Sequence, residues 1–391
     1  MRVLFTATPA VGLLHPLVPF ASAAAAVGHE VAFATGAGMA GLVEGSRFDC
    51  FPVGSERLTN DEVDGLFPEM RGRVGKERAA LHWRNVFAGY LPKALIGDLL
   101  DLAGTWRPDV IVRDDVNFGA CIAAERLGIL HAAVQTVAFR PNLYSAIHEL
   151  LDERRGEVGL APDVGGAMPF RHLFLSPFPK GYLDPDVVLP ATTRSVRPSP
   201  FDRSGGEALP DWVAHLSERP LVYVTLGTVF NHRPDVFSSF IEGLRDEAVE
   251  LVVTVGRDQD PGQFGLQPPN VHIERYVPQT LLFPRCSLVV CHGGSGTTMA
   301  ALAQGLPMVV VPIAADQPEN AERCAALGVA RVLRAADLSA EAARSAVLAV
   351  LAERKYRRAA TDMRDQINAL PGPDFAITLL EELVAGPATP H

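Results

Sequence analysis

Ser287-Leu288-Val289-Val290-Cys291-His292-Gly293-Gly294-Ser295-Gly296-Thr297-Thr298-Met299-Ala300-Ala301-Leu302-Ala303-Gln304-Gly305 is the stretch that decides the fold. A short apolar run suited to a buried strand enters a turn of three glycines and three small hydroxyl residues, and a helix-forming segment closed by Gly305 follows. A strand that feeds directly into a helix is the repeating unit of a parallel α/β sheet. The glycines let backbone N–H groups approach a ligand closely, and the helix start favours an anion by about 0.3–2 kcal/mol. His292, at the strand end, adds another donor. Met299 stands where the dinucleotide fingerprint G-x-G-x-x-G needs its last glycine, and the lysine of a P-loop is absent. Taken alone, the turn also has a plain structural reading, with glycines serving a tight turn and His292 packed in the core.

The same alternation recurs outward from this turn. Strands are expected at 221–226, 250–255, 287–291 and 308–312, with helices at 234–247, 295–304, 319–327, 339–352 and 356–369. The amino-terminal part repeats the pattern, with strands at 3–7, 30–35, 109–112 and 131–136. Its helices fall at 16–27, begun by Pro16 and stopped by Gly28, and at 119–127, stopped by Gly128. Strands that are apolar almost throughout belong to parallel sheets covered on both faces. Between the halves, GYLDPDVVLPATTRSVRPSPFDRSGGEALPDW (181–212) is rich in Pro, Gly, Ser and Asp and reads as a linker. The expected fold class is therefore α/β: two Rossmann-like, doubly wound parallel-sheet domains facing a cleft, spanning 1–205 and 206–370. A last helix, 374–384 within 371–391, follows Pro371-Gly372-Pro373.

A chain of 391 residues accommodates two such domains. Its 45 acidic against 35 basic residues, a formal charge of −10, argue against nucleic acid as a partner and against an anionic membrane surface. Five cysteines without a C-x-x-C pair read as free, mostly buried thiols in a reducing compartment. The longest apolar-rich run, 17–27, contains Pro19 and falls short of the ~20 residues of a membrane span. The opening MRVLFTATPAVG reads as a buried strand, not a signal peptide. The expected location is cytoplasmic.

Three further segments accompany the glycine turn: Thr225-Leu226-Gly227-Thr228 at the end of one strand, Tyr276-Val277-Pro278-Gln279 sixteen residues before His292, and Asp316-Gln317-Pro318-Glu319-Asn320 beginning twenty-four residues after it. This set resembles the donor half of the family-one nucleotide-sugar glycosyltransferases of the two-Rossmann-domain, GT-B type, with their W/Y-V-P-Q, H-G-G-x-G-T and D-Q elements in order. The nearest likeness is to bacterial enzymes that decorate macrolides, enediynes and other natural products. The resemblance implies that Tyr276 stacks on the nucleobase, with the Val277 backbone and Gln279 at the base edge. It implies that His292, the amides of Gly294, Ser295, Gly296 and Thr297, and Thr228 hold the diphosphate, and that Asp316 and Gln317 take the sugar hydroxyls. It also implies that the last helix returns to the first domain.

Near the amino terminus the family carries G-H-x-x-P, whose histidine is the general base. Here the stretch reads Gly12-Leu13-Leu14-His15-Pro16, so Leu13 holds the base position and a histidine lies two residues on. His15 as a substitute base, an acceptor acidic enough to need little help, and a carboxylate at Asp114 or Asp115 are the three readings. In the family an acid at the place of Asp114 orients the base. Asp258-Gln259-Asp260 and Asp184-Pro185-Asp186 are D-x-D patterns explained by turns, and no histidine pair has metal-ligand spacing. No G-x-S-x-G elbow is present. Phe67, Met70, His82, Trp83, Phe87 and Tyr90, followed by Phe139, Leu143, Tyr144 and Ile147, suit either a bulky apolar acceptor or ordinary packing.

The function implied is a metal-independent inverting transferase. It would move a sugar from a TDP-deoxysugar, or a UDP-sugar, to a hydroxyl of an apolar natural product in antibiotic biosynthesis. No resident cofactor is expected, because the nucleotide-diphosphate sugar is a co-substrate, and a homodimer is left open. Two rivals share the fold: a sugar-nucleotide epimerase, and a non-catalytic partner that binds donor but lacks the base.

Overall fold

The structure, a computed structural model, describes residues 1–202, 207–228 and 231–386. The strands of its first sheet are β1 (Arg2–Thr6), β2 (Glu30–Thr35), β3 (Asp49–Pro52), β4 (Val110–Asp114), β5 (Leu130–Val134), β6 (Leu173–Ser176) and β7 (Thr193–Ser195). Their order is β3-β2-β1-β4-β5-β6-β7, with all the described pairings parallel. A second sheet contains β8 (Leu221–Thr225), β9 (Glu250–Thr254), β10 (Val271–Glu274), β11 (Leu288–Cys291), β12 (Met308–Val310) and β13 (Ala330–Val332) in the order β10-β9-β8-β11-β12-β13, again parallel. β4, β8, β9 and β11 are buried at every position, as strands covered on both faces must be. The sheets are the two-Rossmann arrangement expected from the sequence.

Each sheet reverses its strand order once, between β1 and β4 in the first and between β8 and β11 in the second. At such a switch point the two flanking connections leave in opposite directions and open a crevice beyond the carboxyl ends of the strands. The turns that bound these crevices are Ala7–Val11 and Asp115–Asn117 in one sheet, and Leu226–Thr228 and His292–Gly294 in the other. The topology thus brings together segments 64 or more residues apart in the chain.

The chain divides into two compact units: Met1–Pro177, Pro185–Gly205 and Pro371–His391 in the first, Phe178–Asp184 and Gly206–Leu370 in the second. The proline-rich stretch is therefore more than a connector. Just after the buried Phe178 it lends Tyr182, also buried, to the core of the second unit and then supplies β7 to the first sheet. A three-residue edge strand among prolines carries no readable alternation. The helix Pro373–Ala385 lays Ala376, Ile377 and Leu380 against Val18, Ala21 and Ala24 of the helix Val18–Ala26, inside the first unit's core. Leu380 is fully buried there. Leu380→Ala is expected to destabilise this unit by about 2–5 kcal/mol, read as a lowered denaturation midpoint.

Two local expectations need correction. The helix expected at 16–27 begins earlier: a helix over Val11–Leu14 passes through a 3₁₀ turn, His15–Leu17, into Val18–Ala26. Segment 56–100, which shows no clear pattern in sequence, is largely helical: Asn60–Leu66, Gly75–His82, a π-helical run Trp83–Tyr90, then Leu91–Trp106. A π-turn breaks the 3.6-residue period, so the apolar spacing no longer reads as one amphipathic face. No helix among the described residues is long and apolar enough to cross a membrane.

Candidate functional site

The switch point of the second sheet gathers Thr228, His292 and the 294–297 segment singled out above. β11 ends at Cys291, and His292 follows with its ring between two glycines. A Cβ on Gly227 would come within 2.6 Å of His292 Cε1, and a Cβ on Gly294 within 2.4 Å of Nε2. Only residues without side chains fit these places, and Gly227 also has φ of +74°. His292 Nδ1 is buried and has no hydrogen-bond partner among the described residues. Burial lowers the ring's pKa to about 4, although the charge of Asp316 pulls it upward. The imidazole is therefore neutral near pH 7, with a buried, unpartnered polar atom.

Beside it begins the helix Ser295–Ala303. Its N-cap is Gly294, no side chain caps it, and its first turn contains no acidic residue. The amides of Ser295, Gly296 and Thr297 fall in the first turn, where a helix has no internal acceptor to offer. Thr228, on the opposite turn, is exposed. Among the described residues, no cluster of three or more His, Cys, Asp or Glu side chains is placed to hold a metal ion.

Asp316 sits at the end of the turn after β12, where Ala315 takes a left-handed φ of +58°. A non-glycine residue held there costs roughly 1–3 kcal/mol and marks a turn fixed by its surroundings. Ser295 Oγ and Asn320 Nδ2 both donate to Asp316 Oδ2, at 2.9 and 3.1 Å. Asn320 Nδ2 also reaches Ser295 Oγ at 3.2 Å, and Tyr182 Oη donates to Asn320 Oδ1 at 3.0 Å. Asp316, Ser295 and Asn320 are thus one buried network, anchored by a tyrosine from the proline-rich stretch. Arg323 fixes that stretch further through the carbonyls of Gly181 and Tyr182. Gln317, 2% exposed, uses its side-chain carbonyl to accept from the Ile313 and Ala314 amides at 2.8 and 2.9 Å, closing the turn. Asn320→Leu removes the bonds to Asp316 and Ser295 and leaves the buried Tyr182 hydroxyl without its amide acceptor, and is expected to cost about 1–3 kcal/mol, measurable by urea unfolding.

At the other side of β8 lies Tyr276, whose ring is covered by the Arg257 guanidinium at 3.9 Å. Val277 is wholly buried in the core. Gln279 Nε2 lies 3.5 Å from Tyr223 Oη. Arg257, Asn320 and Tyr182 have no role in the sequence reading. Asn320 lies inside the D-Q segment, so spacing alone places it one helical turn from Asp316; Arg257 and Tyr182 are joined to the site only by the fold.

In the first unit, Asp114 ends β4 fully buried. Its Oδ2 accepts the Thr8 amide at 2.6 Å, and its Oδ1 accepts the Val116 amide at 3.1 Å and the Thr8 hydroxyl at 3.3 Å. It therefore pins the turn that follows β1. Burial raises its pKa to about 7, against the pull of the Thr8 amide. Asp115 accepts from the Thr136 hydroxyl and amide at 2.7 and 2.9 Å and from Tyr144 Oη at 3.2 Å. Leu13 packs against the cluster of Trp83, Phe118, Leu143 and Ile147. His15, two residues further along a helical path and so turned by about 200°, sets its ring edge-on to Phe201 at 5.4 Å. The two side chains face different ways. Of the aromatic and aliphatic residues considered for an acceptor, Trp83, Leu143 and Ile147 are core, and Met70 is buried with Val63 and Val86. Cys121, Cys286, Cys291 and Cys324 are buried free thiols, and Cys50 is half-buried.

The chain as a whole is similar to known proteins. Residues 240–383 match the family described as erythromycin biosynthesis protein CIII-like, C-terminal domain. The chain is 30% identical to elloramycin glycosyltransferase ElmGT of Streptomyces olivaceus over 100% of its own length and 99% of the relative's. It is also 30% identical to 4'-demethylrebeccamycin synthase of Lentzea aerocolonigenes over 98% of this chain and 99% of that one. Among solved structures, spinosyn rhamnosyltransferase SpnG complexed with thymidine diphosphate superposes with a TM-score of 0.81 at 25% identity, covering 98% of this chain and 100% of the other. Matched end to end with such relatives, and carrying the two parallel sheets of the GT-B fold, the chain belongs to the natural-product glycosyltransferases of antibiotic biosynthesis.

Proposed function

We propose that this enzyme transfers a deoxysugar from its thymidine-diphosphate carrier to a hydroxyl of an apolar natural product, with inversion and without a metal ion. The observation that carries the reading is the neutral, glycine-flanked His292 with its orphaned Nδ1 beside the uncapped helix start at Ser295. A diphosphate supplies the missing acceptor and meets the helix dipole as well. The complex of the spinosyn enzyme with thymidine diphosphate supports the choice of nucleotide.

In this reading Tyr276 stacks on the base, with the Val277 backbone and Gln279 at its edge. His292, the amides of Gly294, Ser295, Gly296 and Thr297, and Thr228 receive the diphosphate. Asp316, held by Ser295 and Asn320, takes a sugar hydroxyl, and Gln317 contributes through its amide nitrogen because the turn already uses its carbonyl. The acceptor oxygen attacks the anomeric carbon as the carbon–oxygen bond to the diphosphate breaks on the opposite face, so one displacement inverts the centre. Charge that develops on the leaving diphosphate is met by donors already in position, the kind of preorganisation that contributes most to catalysis. His15 accepts the hydroxyl proton, and Asp114 acts by pinning the Thr8 turn that leads to it.

The test is a panel of natural-product acceptors incubated with TDP- and UDP-sugars, followed by mass spectrometry and by NMR of the new anomeric centre. Multiple turnovers with an inverted product support the proposal. An altered nucleotide sugar formed without acceptor favours the epimerase instead, and donor binding without turnover favours a non-catalytic partner.

A further inference from the structure

The guanidinium of Arg257 lies 3.9 Å from the centre of the Tyr276 ring, at stacking distance, on a ring whose proposed task is to stack on a nucleobase. Nothing else of flat shape fits between them at that spacing. The two residues share a cavity of about 480 Å³ with Pro261, Glu274 and Arg275. The backbone beneath them is fixed: the Val255 amide donates to the Glu274 carbonyl at 2.9 Å and the Gly256 amide to the Arg275 carbonyl at 3.0 Å. Gln259 Nε2 adds a bond to the Val255 carbonyl at 2.6 Å. The root of the Arg257 side chain is therefore held beside the root of Tyr276. Its outer end is held lightly, since the side chain is 60% exposed and its ion pair with Glu207 is long, at 3.5 Å. Exposed pairs of this kind contribute little.

A hinge fixed at the backbone with a planar, weakly held tip is suited to grip a flat ring. We propose that Arg257 is a nucleobase-binding residue that leaves the Tyr276 ring as the base enters and stacks on the base's other face. The inference rests on the assignment of Tyr276 to the base. The guanidinium covers the aromatic surface that the base would take, on a ring that is itself half-buried. In the loaded site the base lies between two π-faces, and the guanidinium plane, not only its charge, makes the contact.

The experiment titrates thymidine diphosphate into the wild type, Arg257→Ala, Arg257→Lys and Tyr276→Ala by calorimetry, and repeats each titration with inorganic pyrophosphate as competitor. Arg257→Ala is expected to weaken thymidine diphosphate about 3- to 30-fold and to leave the pyrophosphate inhibition constant within error of the wild type. Arg257→Lys is expected to recover only part of the loss, because an ammonium lacks the stacking plane. Wild-type affinity in Arg257→Ala overturns the proposal. So does a parallel loss for pyrophosphate, which makes Arg257 a phosphate ligand, or full rescue by lysine, which makes the contact one of charge alone. If Tyr276→Ala weakens thymidine diphosphate while Arg257→Ala does not, only the role of Arg257 fails. If Tyr276→Ala also binds normally, the placement of the base fails with it.

Discussion

His292→Ala is expected to lower kcat about 10²–10³-fold, the usual cost of removing one preorganised donor from a developing negative charge. The loss should appear mainly in kcat, because that charge grows on the diphosphate as the bond to the sugar breaks. The shape of the pH–rate profile should not change, since burial holds the imidazole near pKa 4 and it stays neutral over the working range. The glycine cradle supplies an independent check. Gly294→Ala places a methyl group 2.4 Å from Nε2, so the ring must move. This variant should therefore resemble His292→Ala in kcat while still folding, which circular dichroism and the unfolding midpoint will show. Wild-type turnover in either variant removes His292 from the diphosphate site.

His15→Ala is expected to cost about 10²–10⁴-fold with an aliphatic alcohol as acceptor, the typical value of a positioned base. With a phenolic acceptor, which ionises readily, the loss should be far smaller. The comparison of the two acceptors matters because His15 and Leu13 leave the helical path in different directions, one toward Phe201 and the other into the Trp83 cluster. Leu13→His in the His15→Ala background asks whether a base is better placed from the second direction: recovery with the aliphatic alcohol locates the reacting hydroxyl beside Leu13. An unchanged rate in His15→Ala with both acceptors excludes His15 as the base and leaves acceptor acidity as the explanation.

Much of the candidate site was legible because its residues lie in short turns directly after buried strands. A run such as Leu288–Cys291 announces a strand by its apolar continuity, and the glycines after it announce where the chain reverses. Tyr276, His292 and Asp316 could be placed on one sheet edge from order and spacing alone. Arg257 and Tyr182 could not. The first stands just before a D-x-D turn that reads as plain loop, and the second in a proline-rich stretch that reads as linker. Both reach the site through parallel pairings and buried contacts across 19 and 138 residues, to Tyr276 and Asn320 respectively. The π-helical run Trp83–Tyr90 was obscure for a different reason, since its period departs from the one that sequence inspection assumes.

The sequence by itself determined the fold class, the family, the two-sheet plan and which glycine-rich turn lies at the switch point of the second sheet. These follow from local rules: apolar continuity makes a buried parallel strand, and glycine permits the turn that ends it. Only the tertiary structure decided which way side chains point. It set His292 between two glycines, gave Ser295 and Asn320 to Asp316 in place of solvent, turned His15 away from the direction of Leu13, and laid Arg257 on Tyr276. Those outcomes depend on close packing among segments distant in the chain, and the spacing of residues within any one segment carries no record of it.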